Sequence, residues 1–235
     1  MGRSLTSQWA AIFDWDGVII DSSRQHEESW EMLAAEEKRA LPPNHFKRSF
    51  GMKNEKIIPE LLQWTNDPLE IRRLSLRKEA LYREIVRAGG IAPLPGVVNW
   101  LDSLRAASVP CAIASSTHRE NITCTLGVLG LEKFFTAIVS AEDVTHGKPD
   151  PEVFLLAARK IGMPPDRCVV FEDAHVGIEA ARAAGMKVIG VATTHPAETL
   201  QDADRVVQRL DELTVAELSE WWDTPHHDRS SPTVF

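Results

Sequence analysis

FDWDGVIIDS, residues 13–22, contains three aspartates, and the first two are set into an apolar run. The preceding WAAIFD (residues 9–14) has the composition of a buried strand, so Asp14 ends the strand, and Asp16 and Gly17 follow. Burying even a neutral polar group without a partner costs roughly 2–7 kcal/mol. A turn would explain one aspartate and the glycine, which are common turn residues, but not a second carboxylate so close. The stretch therefore predicts a site that uses two carboxylates side by side.

Further along the chain, apolar strand-like segments alternate with amphipathic helical segments. The patterns predict strands at residues 110–115, 137–140, 168–172 and 187–191. Strands that are apolar throughout and alternate with helices are typical of a parallel sheet with both faces covered. The predicted fold class is therefore α/β, with a Rossmann-like parallel sheet covered by helices on both faces. The strand at residues 9–14 belongs to that sheet.

Residues 22–90 show no strand-like pattern and carry amphipathic helical patterns instead. The predicted helices cover residues 22–40, 54–63 and 67–87. Asp67 is the predicted N-cap of the last helix, and the Gly/Pro-rich segment at 89–96 leads back to the sheet. The predicted organisation is core at residues 1–20, an inserted all-helical cap at 21–91, core again at 92–223 and a flexible tail at 224–235.

Composition narrows the possible partners and cellular settings. The formal charge is −8, from 34 acidic against 26 basic residues, which disfavours a nucleic-acid partner. The three cysteines form no CxxC pair, so neither a disulfide nor a zinc site is expected, and a reduced, cytoplasmic setting is. No apolar run approaches the ~18 residues of a membrane span, and the N-terminal residues lack a signal-peptide pattern. We expect no membrane partner, and a monomer or weak homodimer.

Polar side chains are predicted at the carboxyl ends of the strands, where ligands bind in open α/β sheets. They are Asp14, Asp16, Ser115, Ser116, Thr117, Lys148, Glu172 and Asp173. Each has an ordinary explanation by itself, such as a turn, an N-cap or a solvated loop lysine. Carboxylates gathered at one edge, however, repel one another unless a cation lies among them, and oxygen ligands suit Mg²⁺. The lysine and hydroxyls suit a phosphate beside that metal, and the set together predicts a site.

The segments DWDGVIIDS, AIASST, GKPDPEVF and FEDAHVGIEAARAAGM resemble, in order, the four motifs of the haloacid dehalogenase-like hydrolase superfamily. The resemblance spans about residues 9–192, and the helical insert resembles the cap of the subgroup that contains beta-phosphoglucomutase and phosphoglycolate phosphatase. It implies a Mg²⁺-dependent phosphatase. The substrate would be a small phosphorylated metabolite, of the sugar phosphate or phosphoglycolate type, hydrolysed through an aspartyl-phosphate intermediate.

The resemblance also implies two different roles for the first two aspartates. Asp14 would be the nucleophile that accepts the phosphoryl group, which splits one transfer into two easier steps. Asp16 would be the general acid/base that protonates the leaving oxygen and later activates water. Because the ordinary pKa of aspartate is about 3.9, this role requires a raised pKa, which partial burial would provide.

The other motif residues would bind phosphate and metal. Ser115 and Lys148 would hold the phosphoryl oxygens, with the neighbouring hydroxyls of Ser116 and Thr117 as further phosphate contacts. Glu172 and Asp173 would bind Mg²⁺, together with a carboxylate oxygen of the nucleophile Asp14 and the main-chain carbonyl of Asp16.

Asp16 also separates alternatives within the family. In members that dehalogenate 2-haloacids this position is not acidic, and in phosphonoacetaldehyde hydrolases it is typically alanine, with a cap lysine forming a Schiff base. Lys53 resembles that lysine, so C–P hydrolysis is kept as a minor alternative. A beta-phosphoglucomutase-type phosphomutase shares Asp16 and a cap histidine, which His26 matches. However, Asn54 stands where its arginine is expected to bind the distal phosphate, although Arg48 lies nearby.

We therefore favour a phosphatase, with His26 and Lys53 as candidate substrate contacts from the cap. A non-catalytic binding protein with the same fold is the remaining hypothesis, and the complete set of catalytic residues argues against it.

Overall fold

The strand that precedes Asp14 lies inside one six-stranded sheet in the computed structural model, which describes residues 8–49 and 52–223. The strands are β1 (Ala10–Phe13), β2 (Cys111–Ala114), β3 (Ala137–Val139), β4 (Cys168–Glu172), β5 (Lys187–Val191) and β6 (Arg205–Val207). They pair in parallel in the order β3-β2-β1-β4-β5-β6. The expected Rossmann-like parallel sheet is confirmed, and β6 is a further edge strand that the pattern did not indicate.

Helices connect these strands and form the segment between β1 and β2. They are α1 (Ser23–Glu36), α2 (His45–Ser49), α3 (Asn54–Lys56), α4 (Pro68–Arg87), α5 (Val97–Ala106), α6 (Arg119–Leu129), α7 (Glu152–Lys160), α8 (His175–Ala183) and α9 (Val215–Asp223). None of the described helices is long and apolar enough to span a membrane. All three cysteines are free thiols.

Both faces of the sheet are buried, and β1 shows why its sequence is apolar throughout. Ala11 and Phe13 belong to one apolar cluster, whereas Ala10 and Ile12 belong to a second cluster on the opposite face. The Phe13 ring stacks on that of Phe171 with the ring centroids 4.6 Å apart. Because successive side chains of a strand point to opposite faces, every residue of a strand covered on both sides must be apolar.

The helical segment at residues 22–90 contains no strand within its described residues and has an apolar cluster of its own. That cluster includes Trp30 and Leu33 of α1 and Leu74 of α4. As predicted, Asp67 caps α4: its Oδ1 accepts a hydrogen bond of 3.0 Å from the Leu69 amide.

The two chain connections between this segment and the sheet lie side by side. Ile20 forms a bridge with Pro93, and the Leu94 amide donates to the Ile19 carbonyl at 2.9 Å. The Gln25 side chain of α1 also donates to the Gly90 carbonyl. A segment joined through two adjacent connections has the topology of an insertion.

Two predicted helices are shorter in the structure. The helix predicted over residues 22–40 ends at Glu36, because Lys38 adopts a left-handed φ of 52° and the Arg39 amide donates back to the Ala34 carbonyl. The helix predicted over 54–63 is α3 followed by a π-helical turn over Ile57–Leu61. The predicted tail at 224–235 lies outside the described residues.

Candidate active site

Asp14 and Asp16 lie in a tight loop at the carboxyl end of β1. The Asp14 amide continues the sheet pairing by donating to the Phe171 carbonyl at 3.0 Å, and the Gly17 amide donates to the Ile20 carbonyl at 2.7 Å. Gly17 has a φ of 80°, and a Cβ there would lie 2.0 Å from an Asp173 carboxylate oxygen. The glycine is therefore required both by the turn and by the close approach of a carboxylate.

Lys148 joins the ends of two strands through its ammonium group. Its Nζ lies 2.7 Å from Asp14 Oδ1 and 2.5 Å from Glu172 Oε1. Burial by itself would lower the pKa of Lys148, but the two carboxylates more than offset it and raise that pKa above its ordinary value. Lys148 is therefore a permanent cation between the two acids.

Asp14, Glu172 and Asp173 form a compact acidic cluster, with carboxylate oxygens within 4.8 Å of one another. Burial, aided by the charges of neighbouring carboxylates, raises the pKa of Glu172 to about 7 and that of Asp173 to about 6. Three carboxylates and one lysine leave two negative charges when all are ionised, which a divalent cation would balance. The all-oxygen donor set fits Mg²⁺.

Glu172, the last residue of β4, and Asp173, the next residue, are held by close backbone and hydroxyl contacts. Glu172 Oε2 accepts from the Ala174 amide at 2.8 Å, and a Cβ at Gly177 would lie 1.8 Å from Glu172 Oε1. The hydroxyl of Thr194, in the loop after β5, donates to Asp173 Oδ2. These contacts fix both carboxylates without neutralising them, as a metal site requires.

The Asp16 carboxylate has separate partners from the acidic cluster. The hydroxyls of Ser22 and Thr117 each donate to one of its oxygens. Burial raises the pKa of Asp16 most strongly, the two hydrogen bonds lower it, and the Asp14 charge raises it again. The net direction is upward, which is what a carboxyl group needs to carry a proton at neutral pH.

The residues after β2 extend the site towards the start of α6. Ser115 is buried, its amide donates to the Val139 carbonyl at 3.0 Å, and its Oγ accepts from the Thr117 amide at 3.1 Å. Ser116 is exposed, whereas the Thr117 side chain turns to Asp16. The structure thus brings Thr117 to Asp16 and leaves Ser116 at the surface.

The two candidate cap residues occupy different environments. His26 Nδ1 lies 2.6 Å from Lys78 Nζ, and its ring stacks on Tyr82 with centroids 4.3 Å apart. Burial, together with the Lys78 charge, lowers the pKa of His26 to about 3, so its imidazole is neutral. Lys53 is exposed directly before α3.

Sequence reasoning missed a buried polar group in α4. Lys78 is 3% exposed and pairs with Glu79 at 3.0 Å, and the Asp16 charge acts to raise its pKa although burial lowers it overall. Glu79 in turn accepts from Asn54 at 2.7 Å and from Asn121 of α6 at 2.5 Å. The segment LRKEALYR resembles a solvated helix face, and no local signal in it indicates burial.

A second group of possible metal ligands lies on the surface: His146, Asp150 and Glu152. Its carboxylates already accept hydrogen bonds from nearby main-chain amides. Glu152 accepts from the amides of Thr145 and His146, and Asp150 accepts from the Glu152 amide. The buried cluster around Asp14 is therefore the better candidate.

The fold and site together define an α/β protein with a carboxylate cluster and a lysine at the carboxyl edge of a parallel sheet. A family model described as haloacid dehalogenase-like hydrolase matches residues 10–185, and the chain belongs to this family.

Relatives with named activities include phosphatases. The chain is 41% identical over 217 residues to the chloroplastic 5-amino-6-(5-phospho-D-ribitylamino)uracil phosphatase of Arabidopsis thaliana, a match that covers 91% of this chain but only 58% of that protein. It is 31% identical over 184 residues to a phosphorylated carbohydrates phosphatase of Thermotoga maritima, covering 77% of this chain and 83% of that protein. The expected class, a phosphoric monoester hydrolase of this family, is confirmed by the family match and these relatives.

A solved structure with the same fold is a beta-phosphoglucomutase from Clostridium difficile. The TM-score is 0.76 at 26% identity, and the match covers 91% of this chain and 96% of that one.

Proposed function

We propose that the protein is a Mg²⁺-dependent phosphatase that hydrolyses a small phosphorylated metabolite through an aspartyl phosphate on Asp14. The observation that carries this proposal is that the two aspartates have different surroundings. Asp14 lies against Lys148 beside two further carboxylates, whereas Asp16 is held apart by the hydroxyls of Ser22 and Thr117. One carboxylate thus lies among charged groups, and the other, whose pKa is raised by burial, is suited to exchange a proton.

In the first step, an Asp14 oxygen attacks phosphorus, and the bond from phosphorus to the leaving oxygen breaks. Asp16 donates its proton to that oxygen, so a neutral alcohol departs. In the second step, water attacks the aspartyl phosphate, Asp16 accepts a proton from the water, and inorganic phosphate and free Asp14 result. Ser115 and Lys148 would hold the phosphoryl oxygens, a role that the burial of Lys148 between Asp14 and Glu172 supports.

Asp14, Glu172 and Asp173, with the main-chain carbonyl of Asp16, would hold Mg²⁺. When bound, the ion supplies positive charge that offsets the charge on the transferring phosphoryl group. The raised pKa values of Glu172 and Asp173 are consistent with a site shaped for a cation.

The names of the two phosphatase relatives support a phosphorylated sugar or polyol derivative as the substrate. We further propose that the protein acts in the cytoplasm as a monomer or weak homodimer, with residues 21–91 as a cap.

A beta-phosphoglucomutase activity is the second candidate, supported by the likeness to the Clostridium difficile structure. A mutase must hold a second phosphate while the intermediate reorients, which requires a well-placed cation. At the position expected for that cation, the side-chain amide of Asn54 donates to Ser75 Oγ at 3.1 Å and to Glu79 Oε1 at 2.7 Å. Arg48 is exposed on α2. A carboxylate behind Asn54 disfavours a phosphate there. C–P hydrolysis through Lys53 is disfavoured because Asp16 is present.

The test is Mg²⁺-dependent phosphate release from fructose 1-phosphate, ribitol 5-phosphate, phosphoglycolate and p-nitrophenyl phosphate. Asp14→Asn is nearly isosteric, and we expect it to lower turnover by at least about a thousandfold, because a carboxamide is a poor nucleophile. Asp102→Asn on the exposed face of α5 is the matched control and should leave turnover unchanged. Asp14→Asn activity within tenfold of the parent would contradict the proposal.

The mutase alternative is tested separately with beta-glucose 1-phosphate primed by a bisphosphate. Formation of glucose 6-phosphate much faster than free phosphate would replace phosphatase with mutase as the function.

A further inference from the structure

A cleft of about 540 Å³ lies between α4 and the start of α6. On the α6 side, His118 follows Thr117, whose hydroxyl donates to Asp16. On the α4 side, Glu79 is the neighbour and ion-pair partner of Lys78, whose pKa the Asp16 charge acts to raise. Both walls of the cleft therefore adjoin, along the chain, residues that interact with Asp16.

The charged side chains that line this cleft are mostly acidic. They are Glu55, Glu79, Glu120, Glu142, Arg72, Arg83 and His118. The cleft has the volume of an ordinary small-molecule site. A ligand bound in it would therefore lie close to these charged side chains.

The cations of the cleft are largely committed to carboxylates already. Arg83 lies 3.0 Å from Glu120 and donates at 2.9 Å to Asn121 Oδ1, while His118 Nδ1 lies 2.7 Å from Glu142. Among the described contacts, Arg72 is the one cleft cation without a carboxylate partner, and it is exposed on α4. A second phosphate is normally held by several convergent donors, frequently from arginine. This cleft does not offer such a set.

The uncharged part of the lining is partly apolar. Ile71 and Leu76 of α4 flank the cleft, with Pro68 at the start of the helix and the Ser75 hydroxyl between them. Carboxylate oxygens accept hydrogen bonds from hydroxyl and N–H groups, and the apolar residues suit a carbon chain or a ring. The lining thus matches an uncharged polar molecule.

We propose that this cleft binds the leaving group and selects phosphomonoesters whose leaving group has no second anionic group. This inference rests on the proposed phosphatase function. The preferred leaving groups are neutral alcohols rich in hydroxyl or N–H groups, such as polyols and sugars. A second phosphate or a carboxylate would meet four glutamates, three of them already paired with Lys78, Arg83 or His118, and the net repulsion selects against it.

The test compares substrates that differ in one anionic group. Glucose 6-phosphate is paired with 6-phosphogluconate, and fructose 1-phosphate with fructose 1,6-bisphosphate. For each, kcat/KM is measured at saturating Mg²⁺, and its inhibition of p-nitrophenyl phosphate hydrolysis is measured in parallel, so that binding is recorded even where turnover is slow. In each pair, the member whose leaving group is uncharged is called the neutral member. We expect it to be favoured by at least about tenfold, both in kcat/KM and in inhibition.

A charge reversal in the cleft sharpens the test. Glu55 is exposed on α3 and lines the cleft, whereas Glu60 is exposed four residues beyond α3 and does not. Glu55→Lys should reduce the preference for the neutral member by about fivefold, because a side chain that repels a second anionic group is replaced by one that attracts it. The effect is moderate because solvent and salt partly screen an exposed charge. Glu60→Lys carries the same change of net charge and should leave the preference as it is.

Three outcomes would overturn the inference while leaving the phosphatase proposal intact. They are equal or better use of the charged members, no advantage of the neutral members in inhibition, and equal effects of Glu55→Lys and Glu60→Lys. Failure of the phosphatase proposal is recognised differently: no substrate, p-nitrophenyl phosphate included, would then show Mg²⁺-dependent release that Asp14→Asn abolishes.

Discussion

The acidic cluster at the sheet edge and the cleft beside α4 both carry several charged groups, but they bury those groups to different extents. The side chains of Asp14, Lys148 and Glu172 are 13%, 7% and 1% exposed. In the cleft, the side chains of Glu120 and Glu142 are 78% and 49% exposed. Buried charges interact strongly, whereas exposed charges are screened by water and salt. We therefore expect the cluster to control the rate of chemistry and the cleft to adjust substrate preference.

The largest effect is expected from loss of a metal ligand. Asp173→Ala should lower turnover by at least about a hundredfold and raise the Mg²⁺ concentration needed for half-maximal activity, because one of three clustered carboxylates is removed. Titration of activity with Mg²⁺ measures both effects, with the exposed Asp202→Ala as control. Parent activity that survives an excess of chelator would contradict the metal assignment.

The next effect is on stability at the contact between α4 and α6. Asn121 is 1% exposed, donates to Glu79 and accepts from Arg83, so Asn121→Ala removes one hydrogen bond from each of two charged groups at this contact. The free energy of unfolding should fall by about 1–3 kcal/mol. Denaturant unfolding measures it, with the exposed Asn66→Ala as control. Equal unfolding midpoints for the two variants would show that this contact does not join the segments.

A smaller effect should appear in the pH dependence. The Thr117 hydroxyl lowers the pKa of Asp16 by donating to its ionised form, so Thr117→Val should raise that pKa further. Asp16 must be protonated to act as the acid, and the basic limb of the kcat/KM profile should therefore move to higher pH, by about one unit. Thr199→Val, whose hydroxyl bonds only to a nearby carbonyl, should not move it. An unmoved basic limb in Thr117→Val would separate Asp16 from the acid role.

The smallest effect is expected at the exposed edge of the helical segment at residues 22–90. Lys53→Ala should lower kcat/KM by about two- to threefold and unequally across substrates, because an exposed lysine would contact the leaving group and not the phosphoryl group. The substrate panel above measures it, with the exposed Lys47→Ala as control. Equal changes for all substrates would argue against contact with the leaving group.

Much of the fold could be predicted because local composition is decisive for strands buried on both sides. The bounds of β4 and β5 were predicted to the residue, as was the cap of α4 by Asp67. Strand β6 was missed because an edge strand needs only half of its surface covered, and its three residues begin with Arg205. Its pairing with β5 makes it a strand, and that pairing is not visible in the local pattern.

The candidate site was predictable in part for the same reason. Residues at strand ends, such as Asp14 and Asp173, are marked by the change from apolar to polar sequence. Lys78 and Glu79 carry no such mark, because a charged residue within a helix is normally solvated. Only the packing of α4 against α6 buries Glu79 against Asn121.

The sequence by itself determined the α/β class, the family and the residues that follow each strand, because apolar strands and motifs depend on neighbours a few positions apart. Only the tertiary structure decided which of those residues meet. Lys148 is 134 positions from Asp14 and bonds to it, while the Thr117 hydroxyl donates to Asp16, 101 positions away. The reason is the strand order, which places β2 and β4 on either side of β1 and is set by packing of whole helices and strands, not by local pattern.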